Sequence, residues 1–198
     1  MTTGLSPTTE LDAVNTMLFV VGESPVDTLD DNTCAESAEA LSLLRRESRA
    51  LQMKGWKFNT DECCVLAADN DGEVKLPLNT LSVTFTGSDK YASFTYRGGK
   101  VYDRRRQTFT IGRAVMADVV VLLDFEDMPE PARRFVTIAS ARRLQDANLG
   151  DGSLHQFEAA DEALAWAEFL GREMEDADYN INRDSPSVRA VTIRRRGY

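Results

Sequence analysis

Apolar side chains recur at three- and four-residue spacing in two stretches of the first 55 residues. The first stripe is Leu11, Val14, Leu18 and Val21, and the second is Ala38, Leu41, Leu44, Ser48 and Leu51, in which Ser48 is the one polar member. This spacing places each set on one face of an α-helix. Thr9 with Asp12, and Thr33 with Glu36, have capping-box spacing, and Gly22 and Gly55 follow as stops. Two amphipathic helices are therefore predicted.

From about residue 59 the pattern changes to the alternation that is typical of β-strands. The segment "LSVTFT" alternates Leu81, Val83 and Phe85 with polar residues, and "ADVVVLLDF" has the composition of a buried strand. Two turn signals separate strand-like runs: "DNDG" within "CCVLAADNDGEVKL", and Gly98–Gly99 within "ASFTYRGGKVYD". Both indicate hairpins, so residues 59–126 are predicted to form a small antiparallel sheet.

Helical spacing returns at Asp127 and continues to about residue 180. One predicted helix carries Phe135, Ile138, Ala141 and Leu144, and the next begins near Ser153. The order of elements predicts an α+β fold: a four-helix bundle with an inserted small antiparallel β domain and an extended C-terminal tail. The predicted domains are a helical bundle formed by residues 1–58 and 127–180, an inserted β domain at 59–126, and a basic tail at 181–198.

The segment "GWKFN" lies where the second helix gives way to the sheet. Gly55 can end the helix in a left-handed conformation. Trp56 and Phe58 are predicted to pack between the helical and β modules, because an aromatic pair at such a junction is more often core than ligand site. These three residues form the predicted module junction.

Charge is distributed unevenly along the chain. The net charge is −9, yet the last eighteen residues carry five basic and one acidic side chain. An acidic body argues against sequence-specific DNA binding, because phosphate contacts need lysine and arginine. No apolar run reaches the length of a membrane span, so no membrane association is expected. The odd number of cysteines, Cys34, Cys63 and Cys64, predicts free thiols in a reducing compartment.

Catalytic and metal-binding patterns are incomplete in this sequence. His155 is the single histidine and no nucleophile-elbow motif accompanies it. The acid pairs Asp61–Glu62 and Glu126–Asp127 leave open a soluble hydrolase, glycosidase-like, that uses paired carboxylates. The favoured expectation is a non-enzyme without catalytic residues, cofactor or metal.

Four segments occur in an order that resembles a known family: "VVGESPVDTLDD", "KGWKFNTDE", "RGGKVYDR" and "FEDMPEPARRFVTIASARR". They are similar to segments of tail tubular protein A, the head-to-tail adaptor of T7-like short-tailed bacteriophages (podoviruses). The resemblance covers about residues 10–180. It implies a virion protein, assembled in the host cytoplasm, that forms a dodecameric homo-oligomer ring on the portal protein. The tail nozzle (tail tubular protein B) would dock below, and genomic DNA would pass non-specifically through the bore during ejection.

Within that resemblance, two basic segments are candidates for the portal or subunit interface. They comprise Arg104, Arg105 and Arg106 in "DRRRQ", and Val191, Ile193, Arg194, Arg195 and Arg196 in the tail. Arginine suits bidentate contacts with carboxylates, so a protein partner is one interpretation, and DNA in the bore is the other. A cellular helical interaction module with no phage role is a further alternative to the adaptor.

Overall fold

The computed structural model describes residues 7–30, 34–148 and 152–184, with the backbone alone at 148, 152–158 and 176–184. These residues form the helices α1 (Glu10–Val20), α2 (Ala35–Gln52), α3 (Glu130–Asn148) and α4 (Gly152–Asp184). The same residues form the strands β1 (Thr60–Leu66), β2 (Thr80–Phe85), β3 (Phe94–Arg97), β4 (Lys100–Asp103) and β5 (Val115–Val121). The predicted mixture of helix and antiparallel sheet, an α+β class, is confirmed.

The chain divides by its internal packing into two compact units. One takes the described residues of Met1–Leu44 and Pro129–Tyr198, and we call it the helical unit; the other, Arg45–Met128, is the sheet unit. Residues 45–58, which the sequence analysis grouped with the helices, thus fall in the sheet unit. The physical reason is that Gln52 and Asn59 are hydrogen-bonded to the end of β5 and the residues that follow it.

The helical unit is organised around α3, which packs against both α1 and α4. The predicted capping box is present at Thr9, whose hydroxyl accepts from the N–H of Asp12 while the Asp12 carboxylate accepts from Thr9. Phe135, Trp166 and Phe169 join α3 to α4, with ring centres 4.9 to 6.4 Å apart. The complete four-helix bundle stays a prediction, and the predicted cap at Thr33 lies outside the described residues.

In the sheet unit, β5 is the central strand of an antiparallel sheet with the order β1-β5-β2. Alternate β5 residues are buried, as the apolar run predicts for a central strand. The hairpin at Gly98–Gly99 is confirmed, because β3 and β4 pair across it. The two sheets share one apolar core, which comprises Val74, Leu76, Val101, Val115, Ala117, Val119 and Val121.

Two predictions about local structure agree with the structure only in part. The "DNDG" segment does turn, with the N–H of Asp69 donating to Glu73 O at 2.8 Å, but only Ala68 and Val74 bridge beside it. The hairpin is therefore limited to one antiparallel bridge, and the ladder partner of β1 is β5. The extended tail was predicted from residue 181, yet α4 runs to Asp184.

Candidate functional site

The three arginines of "DRRRQ" lie in a tight turn directly after β4. The Asp103 carboxylate accepts hydrogen bonds from the backbone N–H groups of Arg105 and Arg106, at 2.8 and 3.0 Å. Asp103 and Thr108 then close the turn through backbone hydrogen bonds in both directions, of 2.9 and 3.3 Å. Asp103 therefore fixes the loop backbone, while the side chains of Arg104, Arg105 and Arg106 remain exposed.

A cavity of about 280 Å³ opens beside this loop, within the sheet unit. We call it the arginine cavity, and its walls are Tyr91, Ala92, Ser93, Phe94, Asp103, Arg105, Arg106, Ile111 and Arg113. Arg104, although adjacent in sequence, is not part of these walls. Tyr91 stands at the cavity with 92% of its surface exposed. The structure thus brings two of the three predicted loop arginines together with residues that the sequence analysis did not select.

An ion pair anchors one wall residue of the arginine cavity: Arg113 lines the cavity and is half exposed, and its partner Asp89 is buried and does not line it. The Asp89 carboxylate, 1% exposed, accepts two hydrogen bonds from the Arg113 guanidinium, one of them at 3.2 Å, and another from the N–H of Met116 at 3.0 Å. The Arg113 hydrogen bond, more than any other cause, holds the pKa of the Asp89 carboxyl below its usual value. The pair fixes Arg113, whose guanidinium carbon lies 5.7 Å from the centre of the Phe94 ring.

The predicted junction residues gather at the C-terminal end of α2. Gly55 has φ +71°, the left-handed value expected of a helix stop. The Trp56 indole N–H donates to the carbonyl of Leu51 at 2.8 Å, and the same carbonyl accepts from the N–H of Lys54 at 3.2 Å. Trp56 and Phe58 are half-buried. Their role as a seam between modules stays a prediction.

Two buried amides that the sequence analysis missed organise the same region. Asn59 is 1% exposed, and its side-chain amide N–H groups donate to the carbonyls of Gln52 and Val121, each at 2.9 Å. Its side-chain oxygen accepts from the N–H of Trp56 at 2.8 Å. The "GWKFN" segment is therefore held as much by the amide of Asn59 as by its aromatic rings. The only sequence signal was an asparagine close to a helix stop.

The carboxylate pairs proposed for a hydrolase do not form a common site in the groove beside Asp61. That groove is lined by Lys57, Thr60, Asp61, Glu62 and Cys64, and neither Glu126 nor Asp127 contributes to it. A glycosidase needs two carboxylates on opposite sides of one substrate bond, and this groove offers an adjacent pair from one strand. His155 belongs to the first turn of α4, and its side chain is outside the described part of the structure.

The other predicted site residues lie at the C-terminus. Val191, Ile193, Arg194, Arg195 and Arg196 are outside the described residues, so their proposed contacts remain predictions. Among the residues that the structure does describe, no group of three or more histidine, cysteine or acidic side chains is placed to hold a metal ion. Over the same part of the chain, no helix is both long and apolar enough to cross a membrane.

Comparison with known proteins identifies the family. The family model described as "Tail tubular protein" matches residues 11–179. Tail tubular protein A of Klebsiella phage KP34 is 38% identical over 145 residues, which are 73% of this chain and 75% of that protein. The match spans both the helical unit and the sheet unit, including the arginine loop and the end of α2. This chain therefore belongs to the tail tubular protein family.

Proposed function

We propose that this chain is a structural subunit of a phage virion that forms a head-to-tail adaptor ring between the portal and the tail nozzle. The observation that carries the proposal is the family match over residues 11–179, together with a relative named tail tubular protein A. Family membership indicates a structural protein of a phage tail rather than an enzyme. The comparisons give no support to the hydrolase alternative.

The charge distribution supports a channel for DNA. The sequence ranges of the helical unit, 1–44 and 129–198, carry 10 basic and 20 acidic side chains, whereas residues 45–128 carry 13 and 12. The net charge is thus −10 for the sequence ranges 1–44 and 129–198, which include the basic tail, and +1 for the sheet unit. A negative bore repels phosphate, so that DNA slides through the ring without binding to its wall. We propose that the helical unit lines part of the ejection channel.

The proposed assembly is a dodecameric ring that forms on the portal as template, in the host cytoplasm, and stays in the virion. The four-helix bundle with its inserted β domain is the proposed ring subunit. Arg104–Arg106 and the C-terminal tail are its proposed contacts with the portal or with neighbouring subunits. Arginine supports such contacts because its planar guanidinium pairs bidentately with carboxylates.

Electron microscopy of the purified chain mixed with the portal of the same phage tests the proposal. We expect a ring of twelve copies on one face of the portal. The nozzle protein should bind to the portal that carries this ring and not to the portal alone. A portal that acquires no additional density at micromolar concentrations of the chain would refute the adaptor function. The chain without portal, run in parallel, tests whether the ring needs its template.

A deletion of residues 184–198 tests the role of the tail. We expect the truncated chain to remain folded, as judged by its circular dichroism and melting temperature, and to lose portal docking. Addition of duplex DNA should change neither result. Normal docking of the truncated chain would remove the tail from the interface. Duplex binding that falls steeply with salt and disappears on truncation would support the DNA interpretation of the tail instead.

A further inference from the structure

We propose that the arginine cavity receives an acidic side chain from the helical unit of a second copy of this chain. The inference rests on the proposed ring, and it names the contact between neighbouring subunits. The cavity lies in the sheet unit and is lined by Tyr91, Phe94, Asp103, Arg105, Arg106 and Arg113. Its volume of about 280 Å³ suits one or two side chains rather than a large ligand.

The cations of the cavity are not equally available. Arg113 is already paired with Asp89 behind the wall. Arg106 has its Nε 3.9 Å from the Asp103 carboxylate, at the outer limit of an ion pair. Within the described residues, the guanidinium of Arg105 makes no ion pair. The three cavity arginines are matched by two carboxylates, Asp103 in the wall and Asp89 behind Arg113, and this leaves a surplus of one positive charge.

The loop holds the backbone that carries this surplus charge in a fixed conformation. Asp103 binds the backbone N–H groups of Arg105 and Arg106, so the two side chains leave from a constrained turn. The entropy cost of ordering the loop backbone on binding is therefore reduced. A guanidinium presents parallel N–H donors that match the two oxygens of a carboxylate. The occupant that fits the charge, the size and the donors is a single aspartate or glutamate side chain.

The helical unit of a second copy is the source that the charges favour. The sequence ranges of that unit, 1–44 and 129–198, have a net charge of −10, against +1 for the sheet unit. It also presents an exposed aspartate on α4, Asp161, that forms no ion pair with any described residue. A basic cavity on one unit and acidic side chains on the other unit allow a head-to-tail contact between copies, which is the kind of contact that the proposed ring needs. Head-to-tail contacts between identical chains close into rings when the rotation permits it.

Duplex DNA fits the cavity less well than a protein carboxylate. Non-specific DNA binding depends on the number of cations that reach the phosphates, and it gains nothing from an enclosed site. Asp89 and Asp103 neutralise two of the three cavity arginines. Arg104 is exposed outside the cavity and would reach a phosphate at least as easily as Arg105. Contact with a protein side chain therefore requires Arg105 and Arg106 selectively, whereas DNA would use all three arginines of the loop.

Photo-crosslinking from the cavity tests which molecule occupies it. Tyr91→p-benzoylphenylalanine places the reactive group at the cavity, and Tyr91 is exposed enough to be replaced without disturbing the core. With the chain assembled on its portal, we expect a product of two chain masses, with crosslinked peptides from residues 1–44 or 129–198. The same group at Leu78, fully exposed in the same unit but outside the cavity, serves as the control and should give little of this product. Crosslinks to DNA, to the portal or to nothing would overturn the inference.

Charge reversal supplies a matched comparison within one loop. Arg105→Glu combined with Arg106→Glu should lower the yield of the two-chain product about tenfold or more, because opposite charges become like charges. Arg104→Glu should change it less than about twofold, since an exposed charge outside the cavity contributes little. Circular dichroism should report native folding for both variants. Equal losses in the two variants would contradict the selective role of Arg105 and Arg106 and favour DNA.

The outcome separates this inference from the proposed function. A ring on the portal without a chain–chain crosslink from position 91 refutes the cavity contact and leaves the adaptor function standing. If no ring forms on the portal, the crosslink is measured on the free chain at high concentration. A two-chain product that Arg105→Glu with Arg106→Glu abolishes would then support the cavity contact alone, and its absence would refute both.

Discussion

The side chain of Gln52 pairs with the backbone of Leu123 in the way that a neighbouring β-strand would. Its Nε2 donates to the carbonyl of Leu123 at 3.1 Å, and its Oε1 accepts from the N–H of the same residue at 2.8 Å. Gln52 is completely buried at the last position of α2, and Leu123 lies just beyond β5. One amide thus ties the end of a helix to the chain leaving the central strand.

Replacement of Gln52 by methionine tests the energetic weight of this pair. Methionine fills a similar volume but leaves the N–H and carbonyl of Leu123 without a partner. We expect Gln52→Met to lower the free energy of unfolding by about 2–4 kcal/mol, since each buried unsatisfied polar group costs about 1–3 kcal/mol. Urea denaturation measures the change. Ala50→Met, on the exposed side of the same helix, is the control and should stay within about 0.5 kcal/mol of the native chain. Equal effects of the two changes would contradict the prediction.

The conformation and the surroundings of Gly55 make it sensitive to a single methyl group. Its φ is +71°, and a Cβ at this position would lie 3.0 Å from Cγ2 of Val120. We expect Gly55→Ala to destabilise the chain by about 2–3 kcal/mol, of which about 1 kcal/mol is backbone strain and the rest is steric. Gly22→Ala measures the backbone strain alone, because Gly22 has φ +83° and open space around it.

Val120 provides the test of the steric part. In a Val120→Ala background, the additional cost of Gly55→Ala should fall to that of Gly22→Ala, because the methyl group no longer meets the valine side chain. The three variants are compared by thermal melting together with the double variant. An unchanged cost in the Val120→Ala background would assign the whole effect to backbone strain.

At the junction, residue type alone predicts the helix stop but not the buried hydrogen bonds. Gly55 was recognised as a helix stop because glycine readily adopts the left-handed conformation found there. Gln52 and Asn59 were not selected, although both are almost completely buried, because amide side chains are usually exposed. Their burial depends on backbone partners at Leu123 and Val121, more than sixty residues away in sequence. No local pattern encodes such a partner.

Strand pairing and the candidate site also depend on contacts between segments that are distant in sequence, which local patterns do not predict. Alternation predicted the buried face of β5, and Gly98–Gly99 predicted the hairpin of β3 and β4, because both signals are local. The partner of β1 is β5, some fifty residues later, while "DNDG" suggested the nearer segment. In the arginine cavity, the sequence pointed to Arg105 and Arg106 as a charge cluster. It did not place Tyr91 or Arg113 beside them, because only the fold of the sheet unit brings those segments together.

Gly171 offers a gain in stability. It lies within α4, is exposed, and has no neighbouring atom where a Cβ would be placed. Alanine at this helical position should raise the free energy of unfolding by about 0.5–1 kcal/mol, because glycine loses more backbone freedom on folding. Thermal melting measures the change. A decrease would show that α4 needs the glycine for a reason other than helix propensity.

The Asp89–Arg113 pair predicts how stability depends on pH. The Arg113 guanidinium and the N–H of Met116 favour the ionised carboxylate, so the pKa of Asp89 in the folded chain lies below the value of about 3.9 expected when the chain is unfolded. A carboxyl with a lowered folded pKa stabilises the fold fully above its unfolded pKa. That stability is lost as the pH falls through the folded pKa. The native chain should therefore lose stability progressively below about pH 4.

Arg113→Met removes the cation and leaves a buried carboxylate behind. At neutral pH we expect a loss of about 3 kcal/mol, because an unpaired buried charge is costly. Below about pH 4 the difference between native chain and variant should shrink, since a protonated Asp89 no longer needs the guanidinium. Arg97→Met is the matched control. Arg97 lies over the Tyr102 ring, with its guanidinium carbon 4.4 Å from the ring centre, and it makes no ion pair with a carboxylate of the described residues. Its effect should be small and independent of pH. The midpoints of urea denaturation at pH 7, 5 and 3 compare the three proteins. If Arg113→Met lowers the midpoint by the same amount at all three pH values, the arginine stabilises the fold by packing rather than by its charge.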